Sequence, residues 1–107
     1  MQTNVFFSAS SEHVNHEVQN NEAHHISVIV DSPTQHVLFE CSSREALFEL
    51  GRTLMEEALF GTGELELYPL VANGKALVVN GARLVENSAR VFVHFPKEGQ
   101  FTIANQA

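Results

Sequence analysis

The stretch SSREALFELGRTLMEEALF, residues 42–60, predicts one amphipathic helix and with it the fold class. The hydroxyl of Ser42 or Ser43 can accept a hydrogen bond from a free backbone N–H of the first turn, and the spacing from Ser42 to Glu45 matches a capping box. Gly61 follows the stretch, and glycine is common directly after the last helical residue. We therefore expect a helix that begins after one of these serines and ends just before Gly61.

Side chains placed at intervals of about 100° around this helix fall into three stripes. The charged stripe is expected to face water and consists of Glu45, Glu49, Arg52 and Glu56. The first apolar stripe lies opposite and is expected to pack on a sheet: Leu47, Leu50, Leu54 and Ala58. The second apolar stripe, Phe48, Met55 and Leu59, lies beside the charged one, with Gly51 between the two apolar stripes. Because one sheet face covers one stripe, we assign Phe48, Gly51, Met55 and Leu59 as the candidate binding surface.

There are two candidates for what packs against this second apolar stripe. The apolar island Val5–Phe7 of the N-terminal segment can dock on it, or a second copy of the chain can cover it in a homodimer. Soluble monomers rarely leave a large apolar patch in water, so one of the two is expected. The residues around the island are polar, which favours the dimer slightly.

Short apolar runs on both sides of the helix predict strands. Residues 26–31 and 36–41 flank the turn sequence Ser-Pro-Thr-Gln and form an expected antiparallel hairpin, and residues 64–68 alternate strictly between acidic and apolar. Asn73-Gly74 predicts a type I′ hairpin, whereas Asn80-Gly81 fits either a hairpin or a bulge. A further strand is expected at residues 90–95.

The expected fold class is α+β, with one helix packed on a mixed, mainly antiparallel sheet of about four to six strands. The order is strand-strand-helix-strand-strand-strand, and the strands before and after the helix are expected to run parallel through a right-handed crossover. Residues 1–23 are interpreted as a mostly flexible N-terminal segment, residues 24–96 as a single domain and residues 97–107 as a C-terminal tail.

The charge is strongly acidic, with 13 Asp and Glu against 6 Lys and Arg and a net charge of −7. Residues 1–43 contain no Lys or Arg at all. This distribution argues against nucleic acid, whose phosphates require clustered basic side chains, and suits a basic protein partner. No apolar run is long enough for a membrane span and the N-terminus lacks the pattern of a secretory signal, so a cytoplasmic location away from membranes is expected.

The residues that carry chemistry do not form a recognisable active site. Six histidines, His13, His16, His24, His25, His36 and His94, show no spacing typical of a metal centre. The single cysteine, Cys41, is expected to be a buried reduced thiol, the alternative being a nucleophile at the helix N-terminus. No nucleotide-binding or hydrolase motif is present. We expect a non-enzymatic protein-binding domain without a cofactor, and the alternative is a small-molecule or metal-binding module that uses histidines at the sheet edge.

The segment FECSSREALFELGRTLMEEALFGTGELELYP, residues 39–69, resembles small bacterial immunity proteins of polymorphic toxin systems. The resemblance is one of layout: a strand, a serine cap, a leucine-rich helix and an alternating strand. It covers about a third of the chain and contains no diagnostic residue. It implies an acidic binding protein that inhibits a toxin by occluding its active site, and it assigns no toxin contact to any residue of this chain.

Overall fold

The computed structural model of the chain describes residues 11–98. Within them it contains two helices and six strands, which confirms the α+β class. In chain order these are α1 Ser11–Asn20, β1 Ile26–Asp31, β2 His36–Cys41, α2 Arg44–Phe60, β3 Glu64–Leu67, β4 Leu70–Ala72, β5 Lys75–Leu77 and β6 Val91–His94. The predicted Val5–Phe7 contact lies outside the described residues.

The strands form three two-stranded antiparallel sheets, β1–β2, β3–β6 and β4–β5. The predicted single sheet and the predicted parallel pairing across the helix are therefore not what the structure shows. Two of the pairings, β1–β2 and β4–β5, are local hairpins, whereas β3 pairs with β6 across the segment that contains β4 and β5. One isolated parallel bridge, between Ile26 and Leu84, links β1 to the segment that precedes β6.

Helix α1 corrects the prediction of a single helix, and it lies inside the segment that the sequence indicated to be mostly flexible. Val14 and Val18, four residues apart, are its buried side chains. Two valines in a polar sequence give a weak helical pattern, and the helix gains its stability from the surface on which it packs.

The core lies between α2, β1, β3 and the segment before β6. Its buried members are Ile26, Val28, Ala46, Leu50, Leu65, Leu67, Ala82 and Leu84. Backbone hydrogen bonds extend the sheet on the far side of β1: Ile26 N–H donates to Arg83 C=O at 2.8 Å, and Val85 N–H donates to Ile26 C=O at 3.0 Å. At Ile26, strand β1 thus has a neighbour along each of its edges: β2 on one side and residues 83–85 on the other.

Both Asn-Gly pairs form tight turns. At Asn73-Gly74 both residues have positive φ, 54° and 76°, as the predicted type I′ hairpin between β4 and β5 requires. Asn80-Gly81 also has positive φ at both residues, and the Val79–Ala82 bridge closes the turn, so it is a two-residue turn rather than a bulge. A Cβ added at Gly81 would overlap the Thr53 side chain, so this turn packs directly against α2.

The boundaries of α2 agree with the prediction. Ser43 is the N-cap and its hydroxyl accepts a hydrogen bond from Ala46 N–H at 3.0 Å. The capping box predicted from Ser42 to Glu45 is wrong, because the Ser42 hydroxyl instead donates to Ala23 C=O and accepts from His25 N–H. The helix ends at Phe60, and Gly61 N–H donates to Glu57 C=O at 2.8 Å.

Candidate functional site

Helix α2 is rotated about its axis relative to the prediction. Its buried residues are Ala46, Glu49, Leu50 and Thr53. Glu49, which the pattern assigned to the water-facing stripe, is only 1% exposed. Part of the first apolar stripe is wrong as well: Leu50 is buried as predicted, but Leu47, Leu54 and Ala58 are exposed.

Helix α1 is the reason that Glu49 is buried. Asn15 of α1 donates a hydrogen bond to Glu49 Oε2. On the other side the Arg52 guanidinium forms a bidentate pair with Glu49, with Nε to Oε1 at 2.9 Å and Nη2 to Oε2 at 2.7 Å. Arg52 also contacts Glu56 at 2.8 Å, and its hydrogen bonds to Glu49 raise the pKa of the guanidinium. The charged stripe of α2 therefore contacts α1 at Glu49, whereas Glu45 and Glu56 are exposed.

The opposite flank of α2 carries an exposed row of apolar side chains, which we call the apolar face of α2. Its exposed members are Leu47, Leu54, Met55, Ala58 and Leu59. Of the four predicted site residues, Met55 and Leu59 are exposed on this face, Met55 by 49%, while Phe48 and Gly51 are half-buried. The structure thus places the predicted residues along one flank of α2 together with Leu47, Leu54 and Ala58, which the sequence assigned to the core.

Gly51 lies on this flank, and no contact among residues 11–98 requires it to be glycine. An added Cβ meets no atom of the described residues within 4 Å, and Gly51 is not among the residues with positive φ. Glycine inside a helix costs about 0.5–1 kcal/mol relative to alanine. The bare backbone at Gly51 is therefore a point where another molecule can approach the helix closely.

Strand β2 exposes a second apolar surface that the sequence did not single out. Val37, Leu38 and Phe39 are all exposed, although they are consecutive and therefore lie on both faces of the strand. An uninterrupted apolar run in a strand usually indicates burial on both faces. Within residues 11–98, no second layer covers Val37, Leu38 and Phe39.

His24 connects three elements near the start of α2. Its Nδ1 lies 2.6 Å from the Ser43 hydroxyl and its Nε2 lies 2.8 Å from Glu17 Oε2 of α1. The hydrogen bonds from His24 and Asn21 hold the pKa of Glu17 below its usual value. The arrangement has the residue types of a serine-histidine-carboxylate triad, but the Ser43 hydroxyl already accepts the N–H of Ala46 as a helix cap. We therefore interpret His24 as a structural residue whose hydrogen bonds connect α1, the start of β1 and α2.

Arg83 is the most highly connected polar side chain in the described residues. Its guanidinium donates hydrogen bonds of 2.7–3.0 Å to the carbonyls of Val18, Gln19, Asn21, His24 and Ala76. Several of these carbonyls lie at or just after the C-terminus of α1, where a cation is favoured by the helix dipole. Burial lowers the pKa of Arg83 from its ordinary value. Sequence reasoning missed both Arg83 and Asn15, because neither stands in a local motif.

The remaining chemistry-bearing residues are dispersed. Cys41 is half-buried, and burial raises the pKa of its thiol, which disfavours the thiolate that a nucleophile requires. His94 lies 3.9 Å from Glu64, and Arg90 pairs with Glu66 and lies over the Phe92 ring. Between Ser11 and Glu98, no three His, Cys, Asp or Glu side chains converge where they could hold a metal ion.

Neither of the two described helices is long and apolar enough to cross a membrane. Comparison of the chain with protein-family models, with curated proteins and with solved structures finds no match.

Proposed function

We propose that this chain is a non-enzymatic protein-binding domain that docks a protein partner on the apolar face of α2. The observation that carries the proposal is the position of this face. At Glu49 the charged side of α2 is covered by α1, whereas Leu47, Leu54, Met55 and Leu59 expose a large part of their surface to solvent. A helix that exposes a row of large apolar side chains is arranged for contact with another molecule.

The energetics favour a protein partner. Full burial of one leucine or methionine side chain contributes about 1.5–3 kcal/mol, so a few such residues supply a substantial part of an affinity in the micromolar range. The exposed backbone at Gly51 allows a partner helix or strand to approach closely in the middle of the face. Aromatic and methionine side chains such as Phe48 and Met55 are also enriched in the cores of protein interfaces.

The charge supports a basic partner. The net charge is −7, and the segment before α2 carries its acidic residues without a single Lys or Arg. Such a field accelerates association with a positively charged protein and disfavours acidic ones. An immunity-type inhibitor, like the bacterial proteins that residues 39–69 resemble, would use the surface in this way to occlude a basic toxin. The same proposal includes self-association, in which the protein partner is a second copy of this chain.

Replacement of Met55 by lysine is expected to abolish partner binding and to leave the fold intact. Met55 is 49% exposed, so the ammonium group stays in water in the free protein, but in the complex it would be buried in an apolar contact. We expect a loss of about 2 kcal/mol or more of binding free energy, as for a residue at the centre of an interface. Immobilised wild type and variant are exposed to extract of the source cells, and the retained partner is then purified and titrated against both.

Val71→Lys is the matched control for this experiment. Val71 is an apolar residue of β4 with a similar exposure of 44%, and the substitution introduces the same charge away from α2. The proposal requires that the partner is retained by wild type and by Val71→Lys and is lost by Met55→Lys. If Met55→Lys retains every protein that wild type retains, with equal affinity, the apolar face of α2 is not the binding site.

Replacement of Gly51 by alanine is expected to change stability and binding in opposite directions. The added methyl group meets open space among the described residues and removes the cost of a helical glycine, so the free energy of unfolding should rise by about 0.5–1 kcal/mol. The same methyl group stands between α2 and a closely approaching partner, so affinity should fall. Urea denaturation and titration of the purified partner measure the two effects, and an unchanged affinity would show that no partner packs against Gly51.

A further inference from the structure

Strand β1 has two neighbours, and its hydrogen bonds show which of its residues face each one. Ile26 directs its N–H and C=O to Arg83 and Val85, away from β2. In an antiparallel ladder, successive residues direct their backbone groups to opposite sides. The residues of β1 that bond to β2 are therefore the alternate ones, Ser27, Ile29 and Asp31.

The open edge of β2 follows from this alternation. Leu38 pairs with Ile29 and Glu40 pairs with Ser27, so Leu38 and Glu40 direct their backbone groups to β1. The N–H and C=O groups of Val37 and Phe39 then point away from the hairpin. Within residues 11–98, no other strand pairs with β2 on that side.

This edge lacks the devices that usually prevent edge-to-edge association. Natural edge strands are protected by lysine, proline, bulges or inward-pointing charges. Strand β2 contains none of them: it is a regular six-residue strand with consecutive exposed apolar residues at its centre, and its register with β1 is continuous over the whole length. The imidazole of His36 and the carboxylate of Glu40 lie on either side of that centre.

The sequence of β2 is complementary to itself in one antiparallel register. If two copies meet with Leu38 on a two-fold axis, Leu38 faces Leu38 of the second copy, and Val37 faces Phe39. In the same register His36 faces Glu40 of the second copy, and an imidazole N–H can donate to that carboxylate. A shift by two residues in either direction would instead place Leu38 opposite Glu40 or opposite His36. A shift by one residue would face outward-directed backbone groups with inward-directed ones, so it cannot form a ladder.

We propose that two copies of this chain pair through the open edge of β2 and form a continuous four-stranded antiparallel sheet across the two-fold axis. The outward N–H and C=O groups of Val37 and Phe39 exchange two hydrogen bonds in each of the two symmetry-related pairs. Leu38 and its counterpart form a close non-hydrogen-bonded pair on one face, and Val37 packs on Phe39 on the other. This dimer does not rest on the proposed function, because its contacts are made by β2 and not by the apolar face of α2.

The second copy is favoured over an unrelated extended peptide by this match of charge and side chain. A closed, isologous contact uses the same patch on both subunits and requires self-complementarity of this kind. Asp31 is the cross-strand neighbour of His36 within the hairpin, so His36 lies between Asp31 and Glu40 of the second copy. Each acidic neighbour offers an acceptor to an imidazole N–H of His36.

Leu38→Lys tests the two-fold axis. Leu38 is 50% exposed in the single chain, so the lysine is tolerated by the hairpin, but in the dimer it places two ammonium groups opposite each other. In sedimentation velocity from about 1 to 100 µM, wild type should associate and Leu38→Lys should raise the dissociation constant about tenfold or more. Val71→Lys, with the same charge on an exposed strand residue elsewhere, should associate like wild type.

A charge exchange tests the register. Glu40→Lys alone places a lysine opposite His36, and His36→Glu alone places two glutamates opposite each other, so each variant should weaken the dimer. The double variant His36→Glu, Glu40→Lys restores the opposite-charge pairs and should recover most of the lost affinity. Circular dichroism of each variant verifies that the hairpin is folded.

The proposal is overturned if wild type remains monomeric over the whole concentration range. It is equally overturned if the dimer is unaffected by Leu38→Lys, or if it is dissociated by Met55→Lys while Leu38→Lys has no effect. Weakening by both single charge changes without recovery in the double variant would contradict the Leu38-centred register.

Discussion

Replacement of Glu49 by alanine is expected to lower the free energy of unfolding by about 3 kcal/mol, although the residue belongs to a charged helix stripe. The carboxylate is buried and accepts hydrogen bonds from Asn15 and from two nitrogens of Arg52. Removing one member of a buried, hydrogen-bonded ion pair leaves the other without its partner, which costs about 3–5 kcal/mol for fully buried pairs. We expect the lower end of that range because Arg52 is partly exposed and retains Glu56.

Glu56→Ala is the control for this prediction, because Glu56 contacts the same arginine from an exposed position. An exposed pair of this kind contributes about 0.3–0.5 kcal/mol, so the control should change stability little. Urea denaturation of wild type, Glu49→Ala and Glu56→Ala gives the three free energies of unfolding. Equal effects of the two substitutions would show that α1 does not cover α2 at Glu49.

Leu50→Ala is expected to destabilise the protein by about 2–5 kcal/mol, the range for truncation of a buried leucine. Leu50 is 5% exposed and belongs to the central core cluster. The sequence pattern predicts the same loss for Leu54→Ala, because both leucines lie on the first apolar stripe. Leu54 is 39% exposed, so we expect a smaller loss, about 1 kcal/mol.

The ratio of these two losses measures the rotation of α2. Both substitutions remove the same atoms from the same helix, so helix propensity and unfolded-state effects cancel in the comparison. Thermal or urea denaturation of the two variants is sufficient. Similar losses at Leu50 and Leu54 would favour the original prediction, in which both pack on the sheet.

The parts of the fold that were predictable depend on neighbouring residues. The N-cap at Ser43, the end of α2 at Phe60, the β1–β2 hairpin and the Asn73-Gly74 turn each follow from a few adjacent side chains. Such signals act through local backbone geometry, which tertiary packing rarely overrides. The α+β class follows from their order along the chain.

The parts that were not predictable depend on residues far apart in sequence. Periodicity divides α2 into apolar and charged stripes, but which stripe is buried depends on what packs against it. Asn15 lies 34 residues before Glu49, and its amide converts a water-facing position into a buried one. The same reasoning applies to the candidate site: Met55 and Leu59 are exposed as expected of a binding surface, and Leu47 and Leu54 join them because α1 occupies the other side.

The carbonyl cluster around Arg83 has a consequence for the order in which the chain folds during synthesis. Helix α1 is translated before the guanidinium that holds its C-terminus, because Arg83 follows Val18 by 65 residues. Contacts of such long sequence separation form only after the intervening chain has been made and its loop entropy has been overcome. The C-terminus of α1 is therefore tied down only after Arg83 has been synthesised. Until Arg83 emerges, the carbonyls of Val18, Gln19 and Asn21 lack the guanidinium donor that they share in the finished protein.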